Sequence, residues 1–196
     1  MPFVDLSFPL RGTTVPVDHG YALFSAVNRL IPAVHGHSKL AIHPIRGVYA
    51  GGGILQLSKS SRLTIRLEAD EIKTCLPLAG KTLVIQGVTL QVGVPRVYLL
   101  TPAANLRARL VTIKGFLEEA AFREAALRQL DDLHIQAELK LGPRRTVRIQ
   151  DKRIVGYPAA LLGLTAEESL TIQEHGLGGR RRFGCGVFVR VREKKS

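Results

Sequence analysis

Tryptophan is absent from this chain of 196 residues, and methionine occurs once. Aromatic side chains make up 6%, too few for an extensive platform on which nucleobases stack. No apolar run reaches the roughly 18 residues that a membrane-spanning helix needs. The N-terminus lacks a basic stretch followed by an apolar one, so no secretory signal is expected. The two cysteines, Cys75 and Cys185, have neither metal-ligand spacing nor a disulfide framework, so a reducing cytoplasm is the expected compartment. Negative charge is scarce as well, with 16 acidic residues against 28 lysines and arginines.

That imbalance leaves a formal net charge of +12. From Arg180 to the end there are seven basic residues and one acidic, so this tail carries +6, half the excess. A balance of this kind is the electrostatic footprint of a nucleic-acid binder. An anionic membrane surface is the competing partner, but the basic tail alternates like a strand and not like an amphipathic helix. Hydrophobic residues form 45% of the chain, enough for a core in one large domain or two small ones.

Phe3 to Leu10 alternates apolar and polar residues, as a strand does. Asp18 is placed to cap a helix starting at His19, whose apolar face is Leu23, Phe24, Val27, Leu30 and Ile31. Pro32 and Gly36 end it. Lys39 to Ile45, Ile54 to Leu57 and Leu63 to Leu67 read as strands, Glu68 to Leu78 as a short helix. Thr82 to Val92 reads as a hairpin turning at Gln86-Gly87, followed by a strand over Arg96 to Leu100. Thr101 to Asn105 looks like a linker. Beyond it come a strand at Leu110 to Lys114, a helix over Leu117 to Leu133, and strands at Ala137 to Leu141, Thr146 to Ile149 and Arg153 to Leu161. Thr165-Ala166-Glu167-Glu168 matches a capping box that starts a helix ending at Gly176. Strand–helix–strand–strand–helix–strand is the ferredoxin-like order shared with RNA-recognition modules, and the first half is a looser version of it. The expected fold is therefore α+β, with two tandem ferredoxin-like domains over residues 1–100 and 106–196.

Five glycines fall between Gly176 and Gly186, around Arg180-Arg181-Arg182. Glycines at this density permit positive φ and close backbone approach, and successive backbone N–H groups in such a loop form a concavity for phosphate. The arginines add bidentate donors. Gly176, Gly178, Gly179, Arg180, Arg181 and Arg182 are therefore RNA-binding candidates; the alternative is a glycine-rich turn with a solvated basic tip. Arg144, Arg145, Arg148, Lys152 and Arg153 form a second basic cluster across a hairpin, either a solvated face or part of an electrostatic groove for RNA.

Four of the six histidines, His19, His35, His37 and His43, bracket the first helix, with Lys39 close by. An imidazole that trades protons near neutrality beside a fixed cation suits RNA backbone cleavage. One group withdraws the 2′-OH proton, another protonates the departing 5′-oxygen, and a cation offsets charge on the phosphorane. Bland alternatives stand beside this: His43 as a hydrogen-bonded wall residue, His19 as a helix cap, His35-Gly36-His37 as a zinc ligand pair. No cysteine or carboxylate lies at ligand spacing near that pair, so no metal and no cofactor is expected. His134 and His175 sit at helix ends, in structural positions, although His175 adjoins the glycine loop.

The segment Gly176 to Val187 closely resembles the C-terminal glycine-rich loop of the CRISPR-associated endoribonucleases that process CRISPR precursor RNA, members of the repeat-associated mysterious protein (RAMP) superfamily. Val17-Asp18-His19-Gly20-Tyr21, His35-Gly36 and Lys39-Leu40 resemble their N-terminal catalytic region. The resemblance implies two ferredoxin-like domains and binding of a CRISPR repeat, often a short stem-loop. It implies metal-independent endonuclease cleavage that leaves a 2′,3′-cyclic phosphate and a 5′-hydroxyl. It also implies retention of the processed RNA for an interference complex, whose other subunits are then partners. In one branch the site holds a tyrosine on the first helix, a histidine after it and a lysine six residues on. Here His35 matches the histidine and Lys39 the lysine at a spacing of four, while Asn28 stands at the tyrosine position, leaving the base to His19 or His43. A non-catalytic RNA-binding subunit of a CRISPR ribonucleoprotein shares the same fold and charge.

Overall fold

Val4, Leu6, Phe8 and Leu10 are buried along one face of the first strand, β1 (Phe3–Arg11), while Asp5, Ser7 and Pro9 on the other face are half-exposed. This period-two burial is what a sheet covered by helices on one side requires. The structure is a computed structural model that describes residues 1–37, 39–150 and 152–191; part of the basic tail, residues 192–196, lies outside these. The chain divides into two units, Met1–Leu99 and Leu100–Ser196.

In the first unit β1 is followed by β2 (Thr14–Pro16), α1 (Gly20–Leu30), a 3₁₀ turn (Pro32–Gly36), β3 (Ala41–Ile42), β4 (Val48–Gly51), β5 (Ile54–Gln56) and β6 (Arg62–Glu68). A one-turn helix α2 (Ile72–Cys75) flanked by 3₁₀ turns precedes β7 (Thr82–Ile85), β8 (Val88–Val92) and β9 (Arg96–Leu99). β6 pairs with both β3 and β1, and β9 pairs with β1 on its other side, all antiparallel. The order β3-β6-β1-β9 is the split βαβ arrangement of the ferredoxin-like fold. The β7–β8 hairpin joins the end of β1 through Leu10 and Arg11, and β2, β5 and β4 make a separate small sheet.

The second unit repeats the plan with β10 (Asn105–Val111), α3 (Glu119–Asp132), β11 (Glu138–Leu141), β12 (Arg145–Ile149), β13 (Lys152–Leu162), α4 (Ala166–His175) and β14 (Phe188–Arg190). Its sheet runs β11-β13-β10-β14. β13 is long enough to pair with β10 and β11 through its second half and with β12 through its first, so β12–β13 forms a hairpin extension. Phe122 of α3 and Tyr157 of β13 meet in the core at 4.7 Å, and the Tyr157 hydroxyl donates to Leu117 O. Thr165 and Glu168 make both bonds of the capping box.

Four local expectations change. His19, not Asp18, is the N-cap of α1, because its ring turns into the protein. β3 covers only Ala41–Ile42; Pro44, which lacks an N–H, is no strand interior. The strands read over Ile54 to Leu57 and Leu63 to Leu67 become β5 and β6, with ends shifted by a residue, and they belong to different sheets. Thr101–Asn105 is no slack linker: Gln173 donates to Thr101 O, Ser169 accepts from Ala103 N–H, and β10 already begins at Asn105. Arg107 and Arg109 obscured that strand, yet they lie on its exposed face while Leu106, Ala108 and Leu110 are buried.

Candidate functional site

The four clustered histidines reach three different environments. His19 is 0% exposed. Its Nδ1–H donates to Pro16 O at 2.6 Å and its Nε2 accepts from Ile45 N–H at 2.9 Å. The ring thus ties the start of α1 to the end of β2 through Nδ1 and to the chain beyond β3 through Nε2. This corrects its assignment as a catalytic partner: a buried ring with both nitrogens engaged by backbone has no proton position to offer a substrate.

His43 lies just past β3, with its Nε2 3.3 Å from Asp5 Oδ1 but outside hydrogen-bonding geometry, so that this buried atom has no hydrogen-bond partner. Arg66, 1% exposed, grips the same carboxylate with two bonds, Nε to Oδ1 at 2.8 Å and Nη2 to Oδ2 at 2.9 Å. Register explains the meeting: Asp5 of β1 is opposite Arg66 of β6, which is opposite Ala41 of β3. Burial pushes the His43 pKa down more than Asp5 raises it. Burial alone would raise that of Asp5, but the close imidazole of His43 and the bidentate guanidinium of Arg66 hold it well below the carboxylate range. His43 is therefore a wall residue in a buried charge cluster, the second correction to the histidine set.

His37 and Lys39 do come together. With Gly36, Glu68, Glu71 and Thr74 they line a cavity of about 210 Å³ that also touches α2. Lys39 Nζ donates to Glu68 Oε1 at 2.8 Å, and this contact raises the lysine pKa while lowering that of the glutamate. His37 Nδ1 lies 3.5 Å from Glu71 Oε2. His35 is exposed on the preceding 3₁₀ turn, its ring 6.2 Å from that of Phe24 and outside the cavity lining. Asn28, at the position where the resemblance places a tyrosine, has a buried Oδ1 with no hydrogen-bond partner, so that oxygen is not presented to a substrate.

In the second unit the glycine loop is packed instead of open. Gly176 N–H donates to Ile172 O, Gly178 N–H to Gln129 Oε1, Gly179 N–H to Thr112 O, Cys185 N–H to Arg180 O and Gly186 N–H to Leu110 O. These amides serve the fold, which corrects the picture of a phosphate-cradling concavity along the whole loop. Glycine is needed for close approach: a Cβ at Gly186 would sit 2.1 Å from Leu177 O, and one at Gly178 2.4 Å from Thr112 O, both at positive φ. At Gly179 a Cβ meets nothing within 4 Å. Gly186→Ala is therefore expected to destabilise this unit by about 2–4 kcal/mol, read as a lower melting temperature, whereas Gly179→Ala leaves it unchanged. Arg180 is itself left-handed (φ 64°) and donates from Nη1 to Thr112 Oγ1 at 3.4 Å; Arg181 Nη2 donates to Gln173 O at 3.5 Å. With Arg182 they are half-buried, not a solvated tip. His175 Nδ1–H donates to Thr171 O within α4.

A family model described as Cas6 (Cas6 Crispr) matches residues 4–193. The chain is 46% identical over 189 residues to the CRISPR-associated endonuclease Cas6 of Myxococcus xanthus (strain DK1622), covering 96% of this chain and 82% of that protein. The chain belongs to the Cas6 family. At that identity over nearly its whole length it is, like that relative, an endonuclease. Solved structures similar to this Cas6 chain include the Cas6-related protein of Pyrococcus furiosus (TM-score 0.66, 15% identity, covering 98% of this chain and 99% of that one). Another is Thermus thermophilus Cse3 bound to an RNA representing a pre-cleavage complex (TM-score 0.55, 14% identity, covering 96% and 98%). These likenesses bear out the tandem ferredoxin-like fold.

In this Cas6 chain the groups that sequence reasoning missed are acidic. Asp5, Glu68 and Glu71 each face a basic candidate, yet 29 and 34 positions separate Glu68 from Lys39 and Glu71 from His37. Alternation in β1 and β6 signals which residues share a face, but not which strand pairs with which. Among the described residues no group of three or more His, Cys, Asp or Glu is placed to hold a metal ion. The hairpin arginines Arg144, Arg145, Arg148 and Arg153 are exposed, and Arg148 and Arg153 are direct cross-strand partners.

Proposed function

We propose that this Cas6 chain cleaves CRISPR precursor RNA within the repeat, by attack of a 2′-OH on the adjacent phosphate and without a metal ion. A new 2′-O–P bond forms as the P–O5′ bond breaks, giving a 2′,3′-cyclic phosphate and a 5′-OH. One proton leaves the 2′-OH and one reaches the 5′-oxygen. An imidazole of the His35-Gly36-His37 turn moves the proton, and the Lys39 ammonium offsets charge on the phosphorane. The observation that carries this reading is the cavity where His37 and Lys39 stand together. In the absence of RNA Lys39 is held by Glu68 at 2.8 Å; a phosphate takes over that contact.

RNA backbone contacts come from the second unit. Arg148 and Arg153, cross-strand partners on the β12–β13 hairpin, present positive charge side by side to an RNA phosphate. Arg144 and Arg145 extend that surface, and Arg180, Arg181 and Arg182 add to it from the glycine loop. The RNA-bound state of the Thermus Cse3 structure, which shares this fold, supports repeat RNA as the ligand.

The test is cleavage of a cognate repeat RNA in EDTA, alongside the same RNA with a single 2′-deoxy sugar at the cut. Full cleavage in EDTA and none of the deoxy substrate are expected. A requirement for added metal, or cutting of the deoxy substrate, overturns the mechanism.

A further inference from the structure

Glu71 sits in the 3₁₀ turn (Ala69–Glu71) that leads into α2, and its Oε2 receives two approaches. Thr74, three residues on and so on the same face, donates from Oγ1 at 3.3 Å, and His37 Nδ1 lies 3.5 Å away. The threonine restrains the carboxylate, and the carboxylate faces one nitrogen of the imidazole. A carboxylate opposite Nδ1 selects the tautomer with the proton there and limits rotation of the ring, leaving Nε2 as the working nitrogen. A separation of 3.5 Å is longer than a formed hydrogen bond, as catalytic contacts often are in the absence of substrate. The cavity beside the pair has room for several water volumes and is bordered by Lys39.

We infer that Glu71 is the positioning residue for His37, and that His37, not His35, is the imidazole that moves the proton. This rests on the reading of the His35-Gly36-His37 turn as the acid–base site. His35 lies outside the cavity lining, with the Phe24 ring as its aromatic neighbour. The resemblance to the family favoured His35 by its place in the motif; the carboxylate favours His37 by geometry. Thr74 acts one step further out, by holding Glu71.

The experiment measures single-turnover cleavage of repeat RNA, RNA affinity and melting temperature for Glu71→Ala, Glu71→Gln, Thr74→Val, His35→Ala, His37→Ala and the Glu71→Ala/His37→Ala double variant. Glu71→Ala is expected to slow cleavage by about 10–100-fold, the range lost with comparable orienting partners, with RNA affinity unchanged. Glu71→Gln falls between it and wild type, because an amide oxygen still accepts from Nδ1–H. In the His37→Ala background the Glu71 substitution costs nothing more. If Glu71→Ala lowers the melting temperature, the isosteric Glu71→Gln and Thr74→Val carry the comparison, each slowing cleavage without weakening binding. Wild-type cleavage in every Glu71 variant overturns the inference, as does an equal Glu71 effect with and without His37. An inactive His35→Ala with an active His37→Ala also overturns it while sparing the proposed function. Wild-type cleavage by both histidine variants overturns the two together.

Discussion

Alanine at His35 and His37 together is expected to slow repeat-RNA cleavage by about 10²–10⁴-fold, the usual contribution of a positioned acid or base. RNA affinity and melting temperature stay at wild-type values, because His35 is exposed and His37 only half-buried. The contrast with the other two histidines makes the result diagnostic. His19→Ala deprives Ile45 N–H and Pro16 O of their partners and acts through stability, at about 1–3 kcal/mol for each group left unsatisfied. A double variant that cuts as fast as wild type would sink the imidazole mechanism. A chain that binds repeat RNA and never turns it over, even as wild type, would mark a scaffold and not a nuclease.

Asp5→Ala is expected to destabilise the first unit by about 3–5 kcal/mol, because it leaves the Arg66 charge buried without its carboxylate. Arg66 is 1% exposed and bonded bidentately to Asp5, so no solvent replaces the lost partner. The same cluster sets an acid dependence. The folded His43 pKa lies below the ordinary 6.5, so the unfolded chain binds the extra proton and stability falls as pH drops below about 6.5. The folded Asp5 pKa is also depressed; its contribution is fully present above about 3.9, the unfolded carboxylate value, and is lost as pH falls further. Melting temperatures measured from pH 8 to pH 3 check both steps. His43→Asn should flatten the upper one and Asp5→Ala the lower. A pH dependence identical in wild type and His43→Asn would refute the first assignment, and a marginal stability change in Asp5→Ala the second.

The glycine loop shows how one motif admits two physical reasons. Its glycines and arginines identify the family, and the density of glycine does mark close backbone approach. The backbone approaches Thr112, Leu110 and Leu177 of its own unit, and that packing by itself calls for glycine. No local pattern tells the two apart, since φ > 0 and the absence of Cβ serve both.

What the chain alone determined is whatever depends on neighbours close in sequence. Alternation in β1, the capping box at Thr165 and the two-residue turn at Gln86-Gly87 all involve contacts within a few residues, and their propensities survived folding. The excess of positive charge, a sum over residues, needed no structure either. Tertiary structure alone decided which histidine meets which carboxylate. Strand pairing brings Asp5 to Arg66 and His43, and the packing of α2 brings Glu71 to His37; both join residues tens of positions apart, where register and burial, not propensity, set the partner.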